Sequence, residues 1–188
     1  MKNLPILPLL AFFCINCSDI SKEKRPLVNS TNVKIADIDA NHRVTIIEDD
    51  FHLSDSVYKV RGYFMDSKLL KLVGVLRTPH VTRDDYFYFE NNAPIFSGHL
   101  VVSKDDQIAS EYKYYYGEDG YVSEALFWED SYTVGKRFPH EHFEEFNPDI
   151  DSLHDWEEKR LKFFLEYLNL EGFEIMHLNE NLEANTKK

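Results

Sequence analysis

The sequence predicts an α+β fold, an antiparallel β-meander of consecutive hairpins packed against a C-terminal amphipathic helix. Three observations predict it. The middle of the chain holds strand-length runs rich in Tyr, Phe, Val and Leu, separated by short turns of Asp, Asn, Gly or Ser, the local signature of β-hairpins. One hairpin unit recurs three times in series. Beyond Asp151 the apolar residues change from strand alternation to a helical stripe. With 188 residues, 43% of them hydrophobic, the chain is long enough for one domain with its own core.

Taken in order, residues 1–16 read as a cleaved signal peptide and residues 17–30 as a flexible tether, polar, interrupted by Pro26 and without strand or helix period. A single domain is expected over 31–175. Asn32 to Ala40 and Arg43 to Glu48, with Val33, Ile35, Ile38, Val44 and Ile46 alternating, are expected to be strands entering the fold. The hairpin unit follows as Tyr63-Phe64-Met65-Asp66-Ser67, Tyr88-Phe89-Glu90-Asn91-Asn92 and Tyr115-Tyr116-Gly117-Glu118-Asp119-Gly120, at spacings of 25 and 27 residues. In each, an aromatic pair precedes a polar turn and an apolar return. Alternation places Tyr86 and Tyr88 opposite Phe87 and Phe89, and Tyr112, Tyr114 and Tyr116 opposite Lys113 and Tyr115. The return strand Ser123 to Trp128 ends beside Glu129-Asp130, so Trp128 is expected to be partly exposed. Leu153, Trp156, Leu161, Phe164, Leu165 and Leu168 form the helical stripe, with Ser152 and Asp155 as a candidate N-terminal cap and Asn169 to Gly172 as the stop. Residues 176–188 form a polar tail.

The N-terminal segment carries an address. Lys2 precedes the apolar run Leu4 to Phe13, too short to span a bilayer, and Cys14-Ile15-Asn16-Cys17-Ser18-Asp19 follows. This segment resembles a bacterial lipoprotein signal of the Bacteroidota type, in which cleavage occurs before a cysteine that then receives acyl chains such as palmitate. It departs from the usual lipobox in one place, since Cys14 stands three residues before Cys17 where an apolar residue is common. The resemblance implies lipidation at Cys17 and a lipid-anchored protein of the cell envelope, at the outer membrane, whose soluble domain is held by the acyl chains. No cysteine follows Cys17, which leaves the mature domain without disulfides or thiolate sites. The Tyr-rich second and third hairpins also bear a loose likeness to MORN-type hairpin repeats, from which no functional residue is carried over.

The formal charge of -12 argues against nucleic acid as a partner, because phosphate binding needs clustered Lys and Arg and the nearest approach is the short run Lys22-Glu23-Lys24-Arg25. No Gly-x-Ser-x-Gly elbow, Gly-rich phosphate loop or calcium loop is present. Asp49-Asp50, Asp84-Asp85 and Asp105-Asp106 read as solvated turns. The chain is therefore read as a non-enzymatic binding module without cofactor, its partner a protein, peptide or glycan, with Tyr114, Tyr116, Tyr121 and Trp128 as candidate contacts. Two alternatives stand beside it. His140 and His142, two apart on an extended segment, with Glu141 between them, would suit a metal-binding protein or metal-dependent hydrolase. A structural envelope lipoprotein without soluble ligand is the other.

Overall fold

Turn chemistry lays out the sheet. The computed structural model describes residues 25–132, 143–146 and 148–170, and these form helix α1 (Pro26–Asp39), strands β1 (Thr45–Leu53), β2 (Ser56–Met65), β3 (Lys68–Arg77), β4 (Val81–Glu90), β5 (Ala93–Ser103), β6 (Ile108–Tyr116), β7 (Val122–Ser131) and β8 (Glu144–Glu145), and helix α2 (Ile150–Tyr167). The strands make one antiparallel sheet in the order β1-β2-β3-β4-β5-β6-β7-β8, each pairing with its sequence neighbours. Asp66-Ser67 and Asn91-Asn92 turn the β2–β3 and β4–β5 hairpins with positive φ at both positions, the left-handed geometry that matches strand twist and that Asn and Asp tolerate best among residues with a Cβ.

The recurring unit has a structural counterpart. The register shifts at Tyr63/Phe64, Tyr88/Phe89 and Tyr115/Tyr116, so a β-bulge stands at the aromatic pair of every repeat, with Leu70, Ile95 and Ser123 as the unpaired residues of the return strands. A bulge adds local twist, and the ordinary alternation of the strand sends the two members of the pair to opposite faces. Phe64, Phe89 and Tyr116 face α2, while Tyr88 and Tyr115 face α1.

Both faces of the sheet carry a core. On one, Val60, Phe64, Leu69, Leu72, Phe87 and Phe89 pack against Leu161, Phe164, Leu165 and Leu168 of α2. α2 crosses the strands, reaching Tyr114, Val122 and Ala125 through Leu153 at its start and Phe51 of β1 through Tyr167 at its end. Gly74 makes the crossing possible, for the Phe164 ring occupies the place a Cβ there would take. On the other face Val28, Leu27, Ile35 and Ile38 of α1 cover Tyr88, Phe96, Tyr115 and Leu126.

Three expectations are corrected. Asn32 to Ala40 belongs to α1, which starts at Pro26 and so also takes in residues 26–30 of the expected tether. The buried positions Val28 and Thr31, continued by Ile35 and Ile38, follow a helical period, whereas Val33 of the apparent alternation is exposed. Proline at the first helical position starts the helix at no cost in hydrogen bonds. Trp128 is buried at 6% exposure, because its strand phase faces the α1 side, where it joins Val102 and Ala109. Asp49-Asp50 and Asp84-Asp85 lie inside β1 and β4, where pairing with β2, and with β3 and β5, overrode the turn preference of Asp. The Arg43–Glu48 expectation overlaps β1, and α2 begins at Ile150 with Asp149 in the cap position, accepting a 2.6 Å bond from the Ser152 hydroxyl.

Candidate functional site

Strand alternation that places Phe87 and Phe89 beneath α2 places Arg83 and Asp85 there as well. On β5 the same phase carries Ser97 and His99, and antiparallel register sets Asp85 opposite His99. From above, one face of α2 presents Leu153, Glu157, Arg160, Leu161 and Phe164 at helical spacing. A polar cluster therefore forms inside an otherwise apolar interface. Asp85 is 0% exposed and His99 2%.

The cluster is nearly closed on itself. His99 Nδ1 lies 2.7 Å from Asp85 Oδ1 and Nε2 lies 2.7 Å from Glu157 Oε1, so the imidazole bridges the sheet to the helix. The Ser97 hydroxyl donates to Glu157 Oε1 at 3.1 Å and lies 3.1 Å from the Tyr116 hydroxyl. Arg83 Nε donates to Asp85 Oδ1 at 2.7 Å, Arg160 Nε donates to Asp85 Oδ2 at 3.0 Å, and Arg160 Nη2 donates to both Asp85 Oδ2 and the Tyr58 hydroxyl. Glu157 Oε2 is buried and has no hydrogen-bond partner among the described residues.

Electrostatics follow from this geometry. Burial alone would raise the Asp85 carboxyl, but the His99 hydrogen bond and the charges of His99, Arg160 and Arg83 bring it down to about 2. Burial alone would lower His99, but the Glu157 charge and the hydrogen bonds to Asp85 and Glu157 outweigh it and raise the imidazole above its ordinary value. Both ring nitrogens face carboxylate oxygens, an arrangement that favours the doubly protonated ring. With both nitrogens engaged, His99 has none left to take a proton from a substrate.

The cluster reaches solvent around Trp156. Trp156, 37% exposed, meets the His99 ring edge to face at 4.9 Å between centroids. The Arg83 guanidinium carbon lies 4.8 Å from the Trp156 ring centroid and that of Arg160 5.9 Å from it, both within cation–π range. Arg83, Trp156 and Arg160 thus form a surface held from beneath by Asp85, His99 and Glu157. A second polar cluster lies on the opposite face, where Tyr86 donates to the buried Glu111 and Lys113 Nζ sits 3.5 Å from Glu111 Oε1 and 3.7 Å from the Phe143 ring centroid. Burial pushes the Lys113 ammonium down against the pull of Glu111.

Of the sequence-predicted contacts, Tyr114 and Tyr116 are brought to this cluster but from inside. Tyr114 packs on the His99 ring at 5.7 Å, and both tyrosines are buried, which withdraws them from any surface. Trp128 is buried on the other face of the sheet. Tyr121 is half-buried in the β6–β7 loop and stacks on His154 at 5.3 Å. Cys17 and the His140-Glu141-His142 segment lie outside the described residues. Among the described residues no group of three or more His, Cys, Asp or Glu side chains is arranged to hold a metal ion, and no helix is long and apolar enough to cross a membrane. His99, Glu157, Arg83 and Arg160 escaped the sequence reading, and Asp85 entered it only as part of an expected solvated turn. Their one signal there is phase, since each is an ionisable residue on the inward register of an otherwise apolar strand or helix. No protein-family model, curated protein or solved structure matches this chain.

Proposed function

We propose that the chain is a non-enzymatic binding module, lipid-anchored through Cys17 in the bacterial cell envelope, that meets its ligand on the Arg83–Trp156–Arg160 surface. The observation that carries this reading is the pairing of a partly exposed tryptophan with two arginines whose positions are fixed by a buried network. Trp and Arg dominate contact energies at recognition surfaces, and a side chain already held in place loses little freedom on binding. The apolar run before Cys17-Ser18-Asp19 supports the anchor. This surface replaces the tyrosine platform expected from sequence, and Tyr121, stacked on His154, lies apart from it, since His154 and Trp156, two apart on α2, project to different sides of the helix.

The test is an array of envelope glycans and peptides probed with the full-length chain carrying Cys17→Ser, alongside Trp156→Ala in the same background. Retention of at least one ligand by the first protein and its loss in the second, with unchanged circular dichroism, is the expected result. Retention untouched by Trp156→Ala, or no retention of any ligand, would overturn the assignment.

A further inference from the structure

The ligand class at this surface follows from charge. Three groups that carry positive charge, Arg83, Arg160 and His99, face two carboxylates, Asp85 and Glu157, and both guanidiniums bond the same Asp85. One positive charge is left over, in a chain whose formal charge is -12. Other charges nearby are spoken for, with Asp155 held by Lys159 at 2.6 Å and Asp84 paired with Arg77 on the opposite face of β4.

Unused donors point the same way. Arg83 gives only its Nε to Asp85, and among the described residues no acceptor is bonded to its two terminal nitrogens. Arg160 Nη1 is likewise without an acceptor among them. Both side chains are 20% exposed, so neither is sealed inside the interface. Guanidinium N–H groups are well matched to the two oxygens of a carboxylate. Beside them the open part of the Trp156 ring offers a flat apolar wall suited to the C–H face of a pyranose.

Resting on the binding-module reading above, we infer that the Arg83–Trp156–Arg160 surface takes an acidic sugar, its carboxylate on the two guanidiniums and its ring against the indole. A polyacidic peptide is disfavoured, because the surplus is a single charge and the chain around it is strongly acidic. The surplus requires the proton on His99, so affinity falls once rising pH removes it.

The experiment is a fluorescence titration of the full-length chain carrying Cys17→Ser, with Trp156 as reporter and the buried Trp128 as background. The probes are sodium D-glucuronate, D-glucose, acetate, inorganic phosphate and a glutamate-rich peptide. Glucuronate is expected to give a saturable change with half-saturation near ~1 mM, the strength of a small ligand held by about 4 kcal/mol. Arg83→Gln weakens it about tenfold near pH 6, and raising the pH weakens it in the wild type. Arg83→Lys, which keeps the charge without the fork, falls between the two and guards against a folding defect in Arg83→Gln. Equal response to glucose would overturn the inference and leave the binding module standing. Tighter saturation by acetate, phosphate or the peptide would overturn the sugar assignment, as would no response to any probe. Failure of the module itself is read separately, in the array.

Discussion

His99→Gln tests the buried cluster directly. In the native protein the imidazole sits between Asp85 and Glu157 at 2.7 Å from each, and a neutral amide in its place cannot supply positive charge to two buried carboxylates. Breaking a buried charge pair by removing one partner costs about 3–5 kcal/mol, so His99→Gln is expected to lose about that much near pH 6. The pH dependence gives a second, sharper readout. The folded His99 binds its proton more tightly than the unfolded one, so its contribution is fully present below the ordinary histidine value of about 6.5 and is lost as pH rises through the folded value. Over that window stability falls by at most about 1.4 kcal/mol per pH unit. Asp85 acts in the opposite sense. Its carboxyl is brought from 3.8 to about 2, which is worth about 2 kcal/mol above pH 4 and is lost as pH falls through the folded value. Urea unfolding followed by circular dichroism between about pH 3 and about pH 9, in wild type and His99→Gln, measures both. The chain has 8 histidines, so the difference between the two curves is the quantity to read. A difference that stays constant from about pH 6 to about pH 9, or a variant as stable as wild type near pH 6, would refute the reasoning.

Further outcomes follow from single positions. Gly74→Ala is expected to destabilise the fold by about 1–3 kcal/mol, because the Phe164 ring already fills the space beside that backbone and a packed core resists overfilling; urea midpoints measure it. Asn92→Gly is expected to stabilise by about 0.5 kcal/mol, since Asn92 holds a positive φ of 65° in a turn where glycine is favoured at the second position. A drop in the midpoint would refute that. Cys17→Ser is expected to abolish incorporation of an alkyne-tagged palmitate in cells and to release the protein from the membrane fraction. Undiminished labelling would place the acyl chain elsewhere.

What the sequence made legible was local. Tyr63-Phe64, Tyr88-Phe89 and Tyr115-Tyr116 mark hairpins because aromatic strand residues followed by Asp, Asn or Gly specify a turn within a few residues, and α2 was legible because Leu153, Leu161, Phe164 and Leu168 repeat at helical spacing. α1 was misread because Val33, Ile35 and Ile38 satisfy strand and helix periods in part, and only burial against Tyr88 and Phe96 decides between them. The cluster was not legible for a different reason. Asp85 meets His99 through strand register and Glu157 reaches it from 58 residues away, and neither relation leaves a trace in spacing along the chain. The aromatic residues misled in the same way, since a Tyr such as Tyr114 reads alike whether its face is open or covered by a helix.

The strictly sequential strand order has a kinetic meaning. Every hairpin of the sheet closes between neighbours and can form early, at a small loss of chain entropy. α2 differs, because Arg160 must find Asp85 across 75 residues and Tyr58 across 102. Its docking is a long-range closure, as is that of α1 on Tyr115 and Leu126, so the buried cluster is completed after the meander beneath it exists. A substitution such as His99→Gln should therefore quicken unfolding far more than it slows refolding. The protein would then owe its lifetime in the native state to a helix that arrives after its sheet.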